Sequence, residues 1–218
     1  MSDRSADTAE QLDYYRAVAG EYGDHAIEVV GGDELLAAIS AFAPEGDVLE
    51  LACGSGIWTE RLLRSARTVT AIDGAPEMLG LAEKRVGSSP PVRFVEADLF
   101  RWRPDRRYDA VFFGFWISHV PDERFESFWS TVADALETDG TVFFFDDNHR
   151  PDAELVEGVD SEIVERRLND GRRFRVVKVP HQPAELELRL RRSGWDITVT
   201  ATTGPFYWGR GQHRSVGG

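Results

Sequence analysis

The segment VLELACGSG at residues 48–56 joins a short apolar run to two glycines that lie one residue apart. This pattern predicts a buried strand that passes through a tight turn into a helix. Because Gly54 and Gly56 have no side chains, the backbone of the turn can approach a ligand closely. Glu50 lies four residues before Gly54, where a carboxylate can reach the ammonium group of a ligand directly or through water. The segment therefore predicts a ligand-binding turn.

Acidic residues also follow the next two predicted strands. Asp73 ends the run 69–72, at about the spacing that places an acid on a ribose diol. Asp98 follows the run 92–95, where a carboxylate can accept a hydrogen bond from an adenine amine. Each acid alone is also typical of a solvated loop. Acids at the ends of three consecutive strands together predict a nucleoside ligand.

A nicotinamide dinucleotide would fit the same turn and the same ribose-binding acid. Dinucleotide folds normally have a third glycine for close packing of the helix on the strand, and a helix N-terminus that faces the pyrophosphate. Here Thr59 occupies the position of the third glycine, and Trp58 precedes it. Their bulk favours a ligand without a pyrophosphate. S-adenosylmethionine (SAM) is such a ligand.

Strand-like and helix-like segments alternate along the chain to position these residues. Two helices are expected first, at 7–22 and from about Asp33, a candidate N-cap, to Phe42. The predicted strands and helices that follow are 48–51, 58–65, 69–72, 76–86, 92–95, 110–115, 122–136 and 141–145. This alternation predicts a parallel sheet with helices on both faces.

The pattern changes after residue 145. Two strand-like runs, 162–168 and 172–179, flank Asn169-Asp170-Gly171, which predicts a hairpin with glycine at the positive-φ position. A helix then opens at Pro183 and stops at Gly194, and strands at 195–201 and 206–208 close the domain. Residues 209–218 are expected to form a loose end. The hairpin would cover the carboxyl ends of the parallel strands, where open α/β sheets bind ligands.

The composition argues against several classes of protein. With 38 acidic and 25 basic residues the formal net charge is −13, which repels phosphate backbones and argues against a nucleic-acid partner. The single cysteine, Cys53, excludes an intrachain disulfide framework, and the five histidines lack the paired spacing of a metal site. Because no apolar run is long enough to span a bilayer and the start does not resemble a signal peptide, we expect a cytoplasmic protein without membrane contact.

The sequence resembles the class I SAM-dependent methyltransferases. The segments VLELACGSG, VTAIDGAPEML, FVEADLF and YDAVFFGFWISHVP stand in the order typical of that family, across residues 46–146. The resemblance implies an α/β, Rossmann-like fold with a mixed seven-stranded sheet, helices on both faces and a β-hairpin cap over the active site. It implies a single domain with an N-terminal helical cap (1–45), a SAM-binding core (46–146), a substrate-cap hairpin insert (147–181) and a closing helix and strands (182–208).

The resemblance also implies a SAM site formed by the turn, the strand ends and the N-terminal cap. Its expected members are Tyr14, Tyr22, Glu50, Ala52, Gly54, Gly56, Trp58, Asp73, Gly74, Met78, Asp98, Leu99, Phe115 and Trp116. In this interpretation Glu50 and the glycines hold the methionine portion, Asp73 the ribose, and Asp98 with Leu99 the adenine. Tyr14 and Tyr22 match a cap that closes over the sulfonium, although simple helix packing is an alternative role for both.

The methyl acceptor is expected to meet residues that follow the fourth strand and residues of the hairpin. His119 should face the methyl group as a general base or as a donor that orients the acceptor, unless it only caps the following helix. If the hairpin loop has three residues, Leu168 pairs with Arg172, and alternation places four side chains on one face. They are Arg166, Arg172, Phe174 and Lys178. This face offers cations to an anion, or forms a solvated basic ribbon.

Three further segments are similar to bacterial phosphonate O-methyltransferases of the dehydrophos type. They are SEIVERRLNDGRRFRVVKV, PAEL…LRRSGW and HVPDERFESFW. This resemblance implies that Arg166 and Lys178 hold the anionic head of the acceptor; the expected substrate-binding set is completed by His119, Tyr22, Arg172 and Phe174. Val29 and Val30 stand where that type has a substrate-contacting tyrosine, so the acceptor can be a different anion.

The predicted reaction is methyl transfer from SAM to an oxygen of a small phosphonate or carboxylate in natural-product biosynthesis. In-line displacement would depend mainly on holding donor and acceptor collinear. One alternative is N- or O-methylation of a neutral natural product in a pocket lined by Trp116, Phe174 and Phe206, with His119 as a true base. Another is a non-catalytic SAM-binding partner subunit. A monomer and a homodimer are both compatible with the sequence.

Overall fold

The computed structural model describes residues 4–21, 31–87, 91–158 and 161–214. The helices are α1 (Arg4–Val18), α2 (Gly32–Phe42), α3 (Ile57–Leu62), α4 (Pro76–Val86), α5 (Phe125–Ala135) and α6 (Pro183–Arg192). The strands are β1 (Asp47–Leu51), β2 (Thr68–Asp73), β3 (Val92–Glu96), β4 (Tyr108–Gly114), β5 (Leu136–Asp147), β6 (Ile163–Arg167), β7 (Arg173–Val177), β8 (Trp195–Ala201) and β9 (Phe206–His213). Among these residues, no helix has both the length and the apolar character needed to span a bilayer.

A seven-stranded mixed sheet forms the centre of the molecule, which confirms the expected fold class. Its strand order is β3-β2-β1-β4-β5-β9-β8. The first five strands in this order are parallel, and β9 lies antiparallel to both β5 and β8. The carboxyl ends of β1, β2 and β4 therefore meet at one edge of the sheet, as the ligand-binding prediction requires.

Apolar side chains pack on both faces of this sheet because its central strands are apolar at successive positions. On one face Phe112 stacks near Phe143 and Phe42 of α2. On the other face Phe113 packs against Trp129 of α5 and Phe144 of the neighbouring strand. Helices are needed on both faces to cover these apolar side chains. A ligand can therefore bind only at the edge of the sheet, where the carboxyl ends of the parallel strands lie.

The hairpin forms a separate two-stranded sheet, β6–β7. As predicted, Leu168 pairs with Arg172: the Leu168 N–H donates to the Arg172 carbonyl at 2.9 Å. Gly171 has a φ of 92°, the left-handed conformation expected of the loop glycine. The register opposes Arg166 to Phe174, so these two side chains share a face.

Several element boundaries differ from the predictions. Helix α1 ends at Val18 rather than 22, and Asp33 lies in the first turn of α2, behind a left-handed Gly31. Strand β5 starts at Leu136, directly after α5 and five residues earlier than expected, because Leu136 pairs with Tyr108 before the register shifts.

Strand β9 continues to His213, beyond the predicted end at 208. Gly209 and Gly211 were predicted to belong to a loose end, but both pair with β5 and β8. A Cβ atom on Gly209 would lie 2.4 Å from the Phe144 ring, and one on Gly211 would lie 1.9 Å from the Asp196 carbonyl oxygen. These glycines therefore reflect close packing inside the sheet rather than a flexible tail.

Candidate active site

A cavity of about 560 Å³ lies at the carboxyl ends of the parallel strands, within the range of small-molecule sites. Ten residues predicted to bind SAM line it: Ala52, Gly54, Trp58, Asp73, Gly74, Met78, Asp98, Leu99, Phe115 and Trp116. Sequence reasoning missed other lining residues, among them Thr8, Ala9, Gln11, Leu12 and Tyr15 of α1 and Ser55, Ile57, Phe100, Arg101, Gly114 and Arg124. Helix α1 thus forms one wall of the cavity.

The backbone is strained where β1 and β4 reach the cavity. Ala52 and Phe115 follow neighbouring strands, and their φ angles are 54° and 53°, a region that non-glycine residues rarely adopt. The Phe115 N–H donates to the Phe145 carbonyl at 2.9 Å, and directly after Ala52 the N–H of Cys53 donates to the Ile72 carbonyl at 3.0 Å. Such strain typically persists at functional sites, where the surrounding structure compensates for it.

Asp73 connects two turns that border the cavity. Its carboxylate accepts hydrogen bonds from the N–H of Gly54 at 2.8 Å and from the N–H of Ala75 at 2.9 Å. Burial raises the pKa of Asp73, and these backbone donors partly offset that effect. The same carboxylate that lines the cavity therefore also fixes the shape of the glycine turn.

Glu50, Gly56 and Tyr14 are not among the described residues that line the cavity. Glu50 is 1% exposed and accepts a hydrogen bond from Thr59 at 2.6 Å, while its Oε1 atom has no partner among the described residues. Burial raises the pKa of Glu50 to about 8, with the charge of Asp73 contributing in the same direction.

Gly56 allows close packing of α3 and α4. A Cβ atom on Gly56 would lie 2.8 Å from the Cα of Ala82 in α4. Any side chain would separate α3 from α4, so close packing of these helices accounts for this glycine, and its expected contact with the ligand stays a prediction. Gly54, in contrast, lines the cavity, and a Cβ atom on it would meet no atom within 4 Å.

Two adjacent tyrosines of α1 point to different surroundings. Tyr15 lines the cavity, whereas the ring of Tyr14 packs against Phe174 at 5.9 Å and under the Arg166 guanidinium at 5.6 Å. The periodicity of α1 could have selected Tyr15, because it shares a face with the cavity-lining Leu12 three residues earlier. The predictions for Tyr22, Val29 and Val30 lie outside the described residues.

His119 lies beneath α1, only 3% exposed. Its Nδ1 atom is 2.6 Å from the carbonyl oxygen of Val177, and its Nε2 atom is 3.0 Å from the Tyr15 hydroxyl. Burial, together with the charges of Lys178 and Arg166, lowers the pKa of His119 to about 3. The imidazole is therefore neutral near pH 7.

Lys178 is buried in an ionic cluster. Its ammonium nitrogen lies 3.0 Å from the Ser118 hydroxyl, 3.4 Å from Asp146 and 3.1 Å from Asp147. Asp146 also accepts a hydrogen bond from the N–H of Ser118 at 2.9 Å. Since an ammonium group has three donors, these three acceptors match its capacity.

The two arginines of the predicted hairpin face differ in environment. The Arg166 side chain is 24% exposed and forms an ion pair with Glu154 at 3.7 Å. Arg172 is exposed, and its guanidinium pairs with Asp170 at 2.7 Å while lying 5.8 Å from the ring of Phe174. Arg166 is thus the more enclosed cation of this face.

Comparison with known proteins decides the family. A family model described as a methyltransferase domain matches residues 48–140. The ubiquinone biosynthesis O-methyltransferase of Xanthomonas campestris pv. campestris (strain B100) is 31% identical over 210 residues, which cover 90% of this chain and 84% of that protein. The chain belongs to the class I SAM-dependent methyltransferases.

Solved structures place this methyltransferase more finely within the family. A DhpI–SAH complex is 42% identical, with a TM-score of 0.81 over 95% of this chain and 97% of that one. A DhpI–SAM–HEP complex is 40% identical, with the same TM-score, over 94% and 96% of the two chains. The resemblance to phosphonate methyltransferases of the dehydrophos type is confirmed. The glycopeptide N-methyltransferase MtfA, 21% identical with a TM-score of 0.61, shares the fold.

The cofactor of this methyltransferase is SAM, and the chain is an enzyme rather than a non-catalytic SAM-binding subunit. The residues present fit this cofactor. Its cavity presents carboxylates at the ends of adjacent strands, and the Nε1 atom of the cavity-lining Trp116 has no hydrogen-bond partner among the described residues. When bound, SAM supplies an electrophilic methyl group attached to a positively charged sulfur.

Proposed function

We propose that the enzyme transfers a methyl group from SAM to an oxygen of a small anionic acceptor, a phosphonate or a carboxylate, in natural-product biosynthesis. The observation that carries this proposal is the position of Arg166. Its largely enclosed guanidinium lies on the hairpin face that packs against α1, the helix that walls the SAM cavity. In a chain of net charge −13, a local cation at this place favours an anionic acceptor over a neutral one.

The proposed SAM site uses the strand-end acids. Asp73 holds the ribose diol and Asp98 the adenine amine, with Met78 and Leu99 against the adenine ring. The glycine turn and Glu50 hold the methionine portion. The lining of the cavity by Gly54, Asp73, Met78, Asp98 and Leu99 supports these assignments. For Glu50 the support is its buried carboxyl oxygen that has no partner among the described residues.

The state of His119 also supports an acceptor that is already ionised. A base with a pKa of about 3 is poorly suited to remove a proton from a hydroxyl group near pH 7. A phosphonate or carboxylate oxygen carries its negative charge without such a base. The enzyme then needs only to hold donor and acceptor in line, which can contribute about 7–11 kcal/mol to the rate enhancement.

The similarity to DhpI supports the same acceptor class, because the chain aligns with a complex containing SAM and HEP over 94% of its length. In the proposal Arg166 makes the principal contact with the anion. Lys178 was also predicted to bind the anion, but its ammonium group already has three acceptors around it. Because Asp146 and Asp147 offset its charge, Lys178 adds no net positive potential for the acceptor; it anchors the end of β7 to β5.

Replacing Arg166 tests this assignment. Arg166→Gln should raise the KM for an alkylphosphonate about 10- to 100-fold, since a hydrogen bond to a charged group contributes about 1.5–3 kcal/mol. Affinity for S-adenosylhomocysteine (SAH), measured by calorimetry, should stay unchanged. Arg167→Gln is the matched control, because Arg167 is exposed on the next position of the same strand. Equal KM values in the two variants would contradict the anion contact.

A neutral phenolic acceptor is a second candidate. The similarity to a ubiquinone biosynthesis O-methyltransferase favours it, as do the aromatic rings of Phe100, Phe115 and Trp116 along the cavity. A phenol has a pKa of about 10 and must lose its proton before or during transfer. Since His119 is a weak base here, transfer to a phenol would speed up as pH rises, whereas transfer to a pre-ionised anion would not.

A further inference from the structure

Gln11 of α1 lies where the SAM cavity meets the hairpin. It is 3% exposed, and it is one of the residues that line the cavity. Its side-chain oxygen accepts a hydrogen bond from the N–H of Val177 in β7 at 3.1 Å, and its Nε2 atom donates to the His119 carbonyl at 3.4 Å. A single side chain therefore contacts the hairpin, the segment that follows β4 and the cavity.

The two backbone partners fix the orientation of the Gln11 amide. An N–H can only donate and a carbonyl oxygen can only accept, so the side-chain oxygen faces Val177 and the nitrogen faces His119. The amide nitrogen carries two N–H bonds, and His119 accepts one of them. The second has no acceptor among the residues that the structure describes. Because a buried donor without an acceptor costs free energy, a ligand oxygen in the cavity would be a favourable partner for it.

The surroundings of Gln11 indicate that this ligand is the methyl acceptor rather than SAM. The next residue, Leu12, faces the donor side, because a Cβ atom on Gly74, directly after β2, would lie 3.0 Å from the Leu12 side chain. Gln11 instead contacts His119 and Val177, which lie after β4 and at the end of the hairpin. Strand β2 ends at the acid proposed to bind the ribose, whereas the hairpin carries the proposed contact with the anion.

We propose that Gln11 binds the methyl acceptor, and that the second N–H of its amide donates to an oxygen of the acceptor's anionic group. This inference rests on the anionic acceptor of the proposed function. Arg166 supplies positive charge from the hairpin, and Gln11 supplies a neutral, directed donor from α1. An acid held by donors of two elements has a restricted orientation, which favours alignment of its attacking oxygen with the methyl group of SAM.

A purely structural role for Gln11 makes a different prediction. If the side chain only holds α1 on β7, its loss opens the cap and weakens SAH and the acceptor together. If the amide also binds the acceptor, a variant that keeps the contacts with the backbone should lose acceptor affinity alone.

Gln11→Glu is such a variant. In its neutral form the acid accepts from Val177 and donates its single proton to His119, which leaves no donor for the acceptor. In its ionised form it keeps the contact with Val177, has no donor at all and repels an anion.

Gln11→Glu should raise the KM for an alkylphosphonate about 10- to 100-fold, the effect of losing a hydrogen bond to a charged group. The kcat should change little, because the ground state and the transition state both make this contact. The dissociation constant of SAH, measured by calorimetry, should stay unchanged. Gln212→Glu is the matched control, since it removes an amide donor from a backbone carbonyl, that of Asp139, at an exposed position that does not line the cavity. This control should match the native protein.

Gln11→Met repeats the test without a buried acid. It also lacks the donor, so it should raise the KM by a larger factor than it raises the dissociation constant of SAH. The proposal is overturned if the KM stays unchanged in both Gln11 variants, or if SAH weakens by the same factor as the acceptor. Failure of the proposed function looks different, because the native enzyme would then methylate none of the phosphonates and carboxylates offered.

Discussion

Some residues of this enzyme affect both the stability of the fold and the binding of ligand. At Glu50 these two effects are opposed. A carboxylate that is 1% exposed, with one oxygen lacking a described partner, is costly to bury. Its position behind the glycine turn makes sense if a ligand ammonium group compensates for that cost. We therefore interpret Glu50 as a residue that lowers the stability of the ligand-free protein in exchange for binding the donor.

Glu50→Gln should stabilise the ligand-free protein at alkaline pH. In the unfolded chain the carboxyl ionises near 4.5, whereas in the folded protein its pKa is raised to about 8. Between these values the folded state holds a proton that the unfolded state has lost, so stability falls as pH rises, by an amount on the order of a few kcal/mol. Denaturant unfolding at several pH values should show this fall in the native protein and a flatter profile in the variant.

Glu137→Gln, at an exposed position of β5, is the control for that experiment. A native protein whose stability does not decline more steeply than that of Glu50→Gln across this window would contradict the interpretation. If the carboxylate also binds the donor, the stabilised variant should bind SAH more weakly than the native protein does.

Sequence patterns predicted which residues line the cavity where those residues belong to a short, continuous motif. The lining of the cavity by Asp73, Asp98 and Trp116 follows from positions next to strand ends. Tyr14 was assigned to the SAM site from the resemblance to the family. In the structure the orientation of α1 places Tyr15 in the cavity instead. The partners of His119 and Lys178 lie about 30 to 100 residues away in the sequence. No local pattern encodes such contacts.

At the scale of elements, α1 and the hairpin form one connected cap. Side chains of α1 satisfy the open edge of β7: Glu10 accepts a hydrogen bond from the N–H of Arg175 at 2.8 Å, and Gln11 accepts one from the N–H of Val177 at 3.1 Å. Asp7 adds an ion pair with the Arg175 guanidinium at 3.2 Å. The wall of the SAM cavity and the proposed acceptor cap are therefore expected to open and close together.

Glu10→Ala tests this coupling, because Glu10 contacts β7 but is not among the residues that line the cavity. Removing the acceptor leaves the N–H of Arg175 without its carboxylate partner, at a cost of about 1–3 kcal/mol to the closed cap. Amide hydrogen exchange should accelerate in both α1 and β6–β7, and SAH affinity should fall. The control, Glu165→Ala, removes only an exposed ion pair with Arg173. Faster exchange confined to β7 would contradict a cap that moves as one unit.

The sequence predicted the existence of the elements better than their ends. Alternation and turn residues gave the parallel strands and the three-residue hairpin loop. The early start of β5 depends on the pairing of Leu136 with Tyr108, and the late end of β9 depends on glycines that fit against the Phe144 ring and the Asp196 backbone. Both effects depend on contacts between residues far apart in the sequence. A short stretch of sequence that contains isolated glycines predicts a loop instead.

At the scale of the whole molecule, the strand order brings donor and acceptor to the same edge of the sheet. Strands β1, β2 and β4 end at the SAM cavity, while β5 ends at Asp146 and Asp147, which hold Lys178 beneath the hairpin. The net charge of −13 makes the rest of the surface unfavourable for an anion. Binding of an acidic acceptor therefore depends on the local cations of the hairpin, above all on Arg166.

The most direct test of this account supplies the purified enzyme with methyl-labelled SAM and an equimolar mixture of small phosphonates, carboxylates and neutral phenols near pH 7. The account predicts that the label appears as a methyl ester on a phosphonate or carboxylate oxygen, and that Arg166→Gln loses this product while still binding SAH. Label found only on the neutral phenols, with equal yield from native enzyme and Arg166→Gln, would contradict it.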